Sequence, residues 1–138
     1  MAGKISVKLR ISSAIDNGDG EIEKNDITAE GALEVLDGGY LITYREAVEG
    51  GAVLCRIEAV GDTVTVTRQG SVNAVMRFCE GESYSSLYSV GAFSFDMRIF
   101  TKKLSYSLSI FGGQMSFLYE MTVGGAPKDC TMNISVTL

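Results

Sequence analysis

The sequence predicts an all-β fold, and three observations predict it: the placing of its glycines, the alternation of apolar and polar residues between them, and the lack of helical periodicity. Sixteen of the 138 residues are Gly and one is Pro. Pairs stand at Gly38-Gly39, Gly50-Gly51, Gly112-Gly113 and Gly124-Gly125, with further turn signals at Gly18-Asp19-Gly20, Gly61-Asp62, Gly70-Ser71 and Gly81-Glu82. Hairpin turns call for positive φ, which Gly adopts freely. No stretch repeats apolar residues at helical spacing over three turns, so no amphipathic helix is predicted.

The elements follow in order. Residues 1–13 alternate Ile5, Val7, Leu9 and Ile11 with Lys4, Ser6, Lys8 and Arg10, the period-2 pattern of a half-buried strand. An acidic turn, Asp16 to Glu23, leads to a strand from Ile27 to Leu36, which the Asp37-Gly38-Gly39 turn reverses into Tyr40 to Glu46. Strands follow from Val53 to Val60, Thr63 to Gln69 and Val72 to Glu80, divided by Gly61-Asp62 and Gly70-Ser71. The Ser- and Tyr-rich run Gly81 to Gly91 has too weak a pattern and reads as an irregular edge segment. Four clear strands close the chain, carrying Phe93, Phe95, Met97 and Ile99; Leu104, Tyr106, Leu108 and Ile110; Met115, Phe117, Tyr119, Met121 and Val123; and Met132, Ile134, Val136 and Leu138. Between Ile99 and Leu104 the apolar parity flips, which a straight strand cannot accommodate, so a turn or β-bulge is predicted at Thr101-Lys102-Lys103. Pro127 falls between strands, where its missing N–H does no harm.

This gives about nine or ten strands joined by short turns. The fold class is all-β, a single antiparallel up-and-down barrel of about eight to ten strands over residues 1–138, since closure removes the edges an open sheet would expose. A barrel of that size holds one small ligand or is filled by its own side chains. The sequence leaves both open.

Composition excludes several function classes. Twelve basic against seventeen acidic residues give a net charge of −5, the wrong sign for a phosphate-tracking surface, and no nucleic-acid partner is expected. The N-terminus has no uninterrupted apolar run of signal-peptide or transmembrane type, so a cytoplasmic location and no membrane association are expected. Cys55, Cys79 and Cys130 form no C-x-x-C pair and are odd in number, which fits reduced, buried thiols. The sequence contains no His, which removes Ser-His-Asp and Cys-His nucleophile systems and His-ligated metals. The Asp16 to Glu23 turn fails the EF-hand pattern because Gly18 and Gly20 fall at ligand positions. No phosphate-binding glycine loop is present, and neither metal nor cofactor is expected.

The informative residues are polar ones that share parity with the apolar face, because each needs a partner or a ligand. Arg68 continues the inward series of Val64 and Val66, and Glu46 continues that of Tyr40, Ile42 and Tyr44. One reading makes Arg68 an anchor at the barrel mouth for a carboxylate or phosphate, with Tyr44 and Glu46 orienting it. The other makes Arg68 and Glu46 an ion pair closing the barrel end. Arg77 and Arg98 have outward parity.

In their order along the chain, Tyr44-Arg45-Glu46, Val66-Thr67-Arg68-Gln69-Gly70, Tyr88-Ser89-Val90-Gly91 and Leu118-Tyr119-Glu120 resemble the YwiB-like family of uncharacterised bacterial proteins. The resemblance implies a lipocalin-like, calycin-type β-barrel in a bacterial cytoplasm. It brings no catalytic residues, and it adds Tyr88 and Tyr119 to Tyr44, Glu46 and Arg68 as candidate ligand-binding positions. Three functions are then weighed. A binding barrel would take a small apolar or amphipathic molecule in its interior, in a cavity of at least ~300 Å³. A structural or interaction barrel would have a filled core and meet a partner, with a homodimer as one form. An enzyme would use Tyr44, Glu46 and Arg68 for acid-base work, though nothing in the sequence demands catalysis.

Overall fold

A computed structural model of the chain describes residues 3–48 and 50–138; Met1 and Ala2, at the head of the first predicted strand, lie outside them. Ten strands are formed: β1 (Lys4–Asp16), β2 (Ile22–Leu36), β3 (Gly39–Val48), β4 (Gly51–Val60), β5 (Thr63–Gly70), β6 (Val72–Cys79), β7 (Ser83–Val90), β8 (Phe93–Ser109), β9 (Gly112–Val123) and β10 (Lys128–Thr137). Each pairs antiparallel with its neighbours in sequence, and β10 returns to β1 to close the barrel. The closing ladder runs from Lys8 opposite Thr137 to Asp16 opposite Asp129. No helix among the described residues is long and apolar enough to cross a membrane.

Two segments differ from the sequence reading. The Gly81 to Gly91 run is not irregular: β7 pairs with β8 along its whole length, from Ser83 opposite Phe100 to Val90 opposite Phe93. Its inward positions, Tyr84, Ser86 and Tyr88, include a hydroxyl residue where an apolar one would show the alternation. Second, β2 starts at Ile22 rather than Ile27, because β1 and β2 stay paired down to Asp16 opposite Ile22. The acidic side chains there serve the turn itself. Asp16 Oδ1 accepts from the Gly18 N–H at 2.9 Å, and Asp19 Oδ1 accepts from the Glu21 N–H at 3.0 Å.

The parity break is a bulge. Register shifts between Thr101, opposite Tyr119, and Lys103, opposite Leu118, so Met97, Ile99 and Thr101 point inward before it and Leu104, Tyr106 and Leu108 after it. Lys102, the extra residue, reaches Asp129 at 2.8 Å on the outside. The core is continuous around the barrel and includes Leu9, Leu33, Ile57, Phe78, Met97, Ile99, Met115, Phe117 and Ile134. Phe78 stands edge-on to both Phe117 and Tyr119, with ring centroids 4.9 Å apart in each case. Burying each such side chain is worth roughly 1.5–3 kcal/mol.

Pairing is thin at two seams. Between β6 and β7 the ladder comprises Val72 with Val90, Asn73 with Ser89 and Ala74 with Tyr88; beyond it Ser86 Oγ donates to the Val75 carbonyl at 2.7 Å. Between β2 and β3 the ladder ends at Gly31 opposite Tyr44. There a Cβ on Gly31 would run into the Thr43 carbonyl oxygen, so only Gly lets β3 cross so close.

Candidate functional site

One inward row of side chains crosses β3 to β8 through directly opposed residues: Tyr44 beside Cys55, Cys55 beside Arg68, Arg68 beside Ala74, Ala74 beside Tyr88 and Tyr88 beside Phe95. Directly opposed residues share a face of the sheet. One inward position nearer the end that carries the β3–β4, β5–β6 and β7–β8 turns stand Glu46, Val53, Gly70, Val72, Val90 and Phe93. Gly70 is required at its place. Its φ is +136°, and a Cβ there would strike the Ala52 carbonyl, so no side chain covers Arg68 from that position.

Arg68 Nη2 donates to Glu46 Oε2 at 3.0 Å, and both side chains keep 22% of their surface exposed. The Cys55 thiol lies 4.0 Å from the same Glu46 oxygen. Burial works against the charge on Arg68, but Glu46 first, then Cys55 and Tyr88, outweigh it and hold the guanidinium pKa above its ordinary value. Burial, reinforced by Cys55 and Glu46, pushes the Tyr44 hydroxyl well above its usual range. Tyr44 is therefore a neutral hydrogen-bonding group here, not a base.

Of the five residues singled out in the sequence, the structure gathers Tyr44, Glu46, Arg68 and Tyr88. Tyr119 stands apart from them, opposite Thr101 and Cys130 and against Phe78. Burial is the main cause that raises its hydroxyl pKa, with the Cys130 thiol adding to it. Its side chain is buried in the core cluster. Arg77 and Arg98 are exposed, as their parity predicts.

Ala74, Tyr84 and Ser86 escaped sequence reasoning. Where β6 and β7 part, a concavity of about 390 Å³ passes into the wall, lined by Arg68, Ala74, Tyr84 and Ser86 of the inward face and by Thr67, Val75 and Leu87 among outward positions. The space reaching Arg68 thus lies in the barrel wall, while Phe78, Met97, Met115 and Phe117 pack the interior. The inward Phe93 and Phe95 are also open, 70% and 45% exposed. A larger groove of about 640 Å³ lies on the outer face of β1, β2 and β10. It touches none of the gathered residues, and its cations face anions: Lys8 opposes Glu30, and Arg10 pairs with Asp26 at 2.8 Å. No group of three His, Cys, Asp or Glu among the described residues is placed to hold a metal ion.

A closed ten-stranded antiparallel barrel with a polar cluster built into an apolar inner face defines the class of this protein. The chain belongs to the family described as Domain of unknown function (DUF1934), which it matches over residues 9–134. It is similar to the crystal structure of ywiB protein from Bacillus subtilis, with a TM-score of 0.90 and 25% sequence identity over 97% of this chain and 92% of that one. No curated protein matches it.

Proposed function

We propose that this protein is a lipocalin-like binding barrel that takes a small apolar or amphipathic molecule, with the polar end of the ligand on Arg68. The observation that carries the reading is the concavity at the β6–β7 parting. Its volume of about 390 Å³ lies within the range of small-ligand sites, roughly 300–1,000 Å³, and it ends on a partly exposed cation set in an otherwise apolar row. Ala74 supports it. Its short side chain leaves a notch between Arg68 and Tyr88, and Tyr84, Val75 and Leu87 offer apolar surface to the rest of a ligand. Three buried free thiols suit a reducing compartment, and we place the protein in the bacterial cytoplasm.

The test is a thermal-stability titration with fatty acids, fatty amides and aromatic acids. A ligand at a hundredfold excess over its Kd stabilises the native state by about 2.7 kcal/mol, which for a chain of this size raises Tm by roughly 10 °C. Ala74→Leu fills the notch and abolishes that rise while the barrel still melts cooperatively. If no compound shifts Tm, the reading is wrong.

A second reading rests on the 3.0 Å contact between Arg68 and Glu46: a filled interaction barrel, meeting a partner such as a second copy, in which the pair only fastens β3 to β5. It predicts that Arg68→Gln and Glu46→Gln destabilise by similar amounts and couple by about 0.5–3 kcal/mol, with no effect of any ligand on Tm.

A further inference from the structure

Resting on the binding reading, we infer that the polar end of the ligand is a net-neutral head carrying a hydrogen-bond donor beside an acceptor, such as a primary amide, rather than a free carboxylate or phosphate. The inference comes from how Arg68 and Glu46 share their groups. A guanidinium offers five N–H donors in a planar fork, and a carboxylate can receive two of them in parallel. Here one nitrogen meets one oxygen, Nη2 to Oε2 at 3.0 Å. Among the described residues no protein oxygen accepts from Arg68 Nε or Nη1, and no protein group donates to Glu46 Oε1. The partial exposure of both side chains leaves these atoms open to a ligand.

The pair is thus a donor and an acceptor side by side, with no net charge. An incoming carboxylate would find the guanidinium already neutralised and would place a second anion next to Glu46, an arrangement that like-charge repulsion penalises. An amide meets no such repulsion. Its carbonyl accepts from Arg68, and its NH₂ donates to Glu46 or to the hydroxyl and carbonyl oxygens lining the parting. The neighbouring inward groups fit a neutral head as well: the Tyr44 and Tyr88 hydroxyls and the Cys55 thiol add no cation to the row.

Octanamide, octanoate and octylamine share one apolar chain and differ only in the head, so Tm titrations of the whole protein with each separate head from tail. Octanamide is expected to bind at least about tenfold tighter than octanoate, and Glu46→Gln, which removes the anion and keeps the shape, to bring octanoate to within about threefold of the amide. Octanoate binding as tightly as octanamide to the wild type, with no gain in Glu46→Gln, would overturn the neutral head and leave the binding site standing. No shift with any of the three, in either protein, would instead remove the binding reading and this inference with it. If Glu46→Gln loses its cooperative melt, the wild-type ranking of the three probes decides: octanamide first upholds the inference, octanoate or octylamine first refutes it.

Discussion

Cys130 shows how a single side chain in this barrel ties stability to pH. It is buried on β10 beside Tyr119 and donates to the Lys128 carbonyl at 3.6 Å. Burial first, and the negative charge of Asp129 second, push its thiol from 9.0 up to about 11. A thiol whose pKa is higher in the folded than in the unfolded chain favours folding while protonated. That advantage is complete below pH 9 and is lost as pH rises through about 11, by an amount on the order of 2 kcal/mol. Urea unfolding at pH 8 and pH 11 under reducing conditions should show the wild type losing more stability between the two than Cys130→Ala, although the variant is less stable at pH 8. Equal losses would mean that Cys130 does not carry this dependence. Tyr44 and Tyr119, raised in the same direction by burial, add to the alkaline loss in both proteins.

At the scale of the element, the bulge in β8 carries the clearest consequence. Lys102 is the residue that lets Thr101 and Leu104 both face inward across the register shift. Deleting it joins Thr101 to Lys103 and removes the bulge, so that the 17-residue strand becomes one unbroken alternation in which Leu104, Tyr106 and Leu108 stay inward with Met97, Ile99 and Thr101 and keep their partners on β9. The deletion variant should therefore fold and melt cooperatively, losing the local bend and twist that a bulge puts into a strand, and Lys102→Ala, which loses only an exposed ion pair with Asp129, should change stability by less than about 1 kcal/mol. A deletion variant recovered unfolded or aggregated would show that closing the barrel needs the bend the bulge gives β8. The bulge was legible in the sequence because apolar parity on both sides was strong, and parity likewise pointed Arg68 and Glu46 inward. The start of β2 was not legible: Glu23 and Asn25 hold its inward positions at the barrel end, where no burial enforces an apolar choice. β7 was hidden for a related reason, since Ser86 spends its inward position on the Val75 carbonyl at the parting. The Ala74 notch depends on how far two neighbouring strands separate. No property of residue 74 alone records that.

For the whole molecule, closure and the parted β6–β7 seam make opposite demands on the chain. The β1–β10 ladder from Lys8–Thr137 to Asp16–Asp129 joins the two ends of the sequence, and such long-range pairing slows folding because the chain must close before the contacts reward it. The β6–β7 seam joins sequence neighbours through Val72, Asn73 and Ala74, and it is held further by the turn, where the Glu82 N–H donates to the Cys79 carbonyl at 3.0 Å. The short connection thus does at β6–β7 what a full ladder does at β1–β10. Two circular permutants separate these contributions. In both, a flexible Gly/Ser linker of about eight residues joins residue 138 to residue 1, enough to span the part of β1 that extends past Thr137 at ~3.3 Å per residue. Opening the chain between Ile110 and Phe111, exposed residues of the β8–β9 turn, leaves every ladder intact and should cost little stability while keeping any ligand-induced rise in Tm. Opening it at Gly81 removes the connection over the thin seam. That permutant should lose several kcal/mol, and its β6 and β7 amides should exchange with solvent much faster than those of β1 and β10. Equal stability of the two permutants would show that the sparse ladder suffices by itself, and that the wall at Arg68 is closed more firmly than its hydrogen bonds suggest.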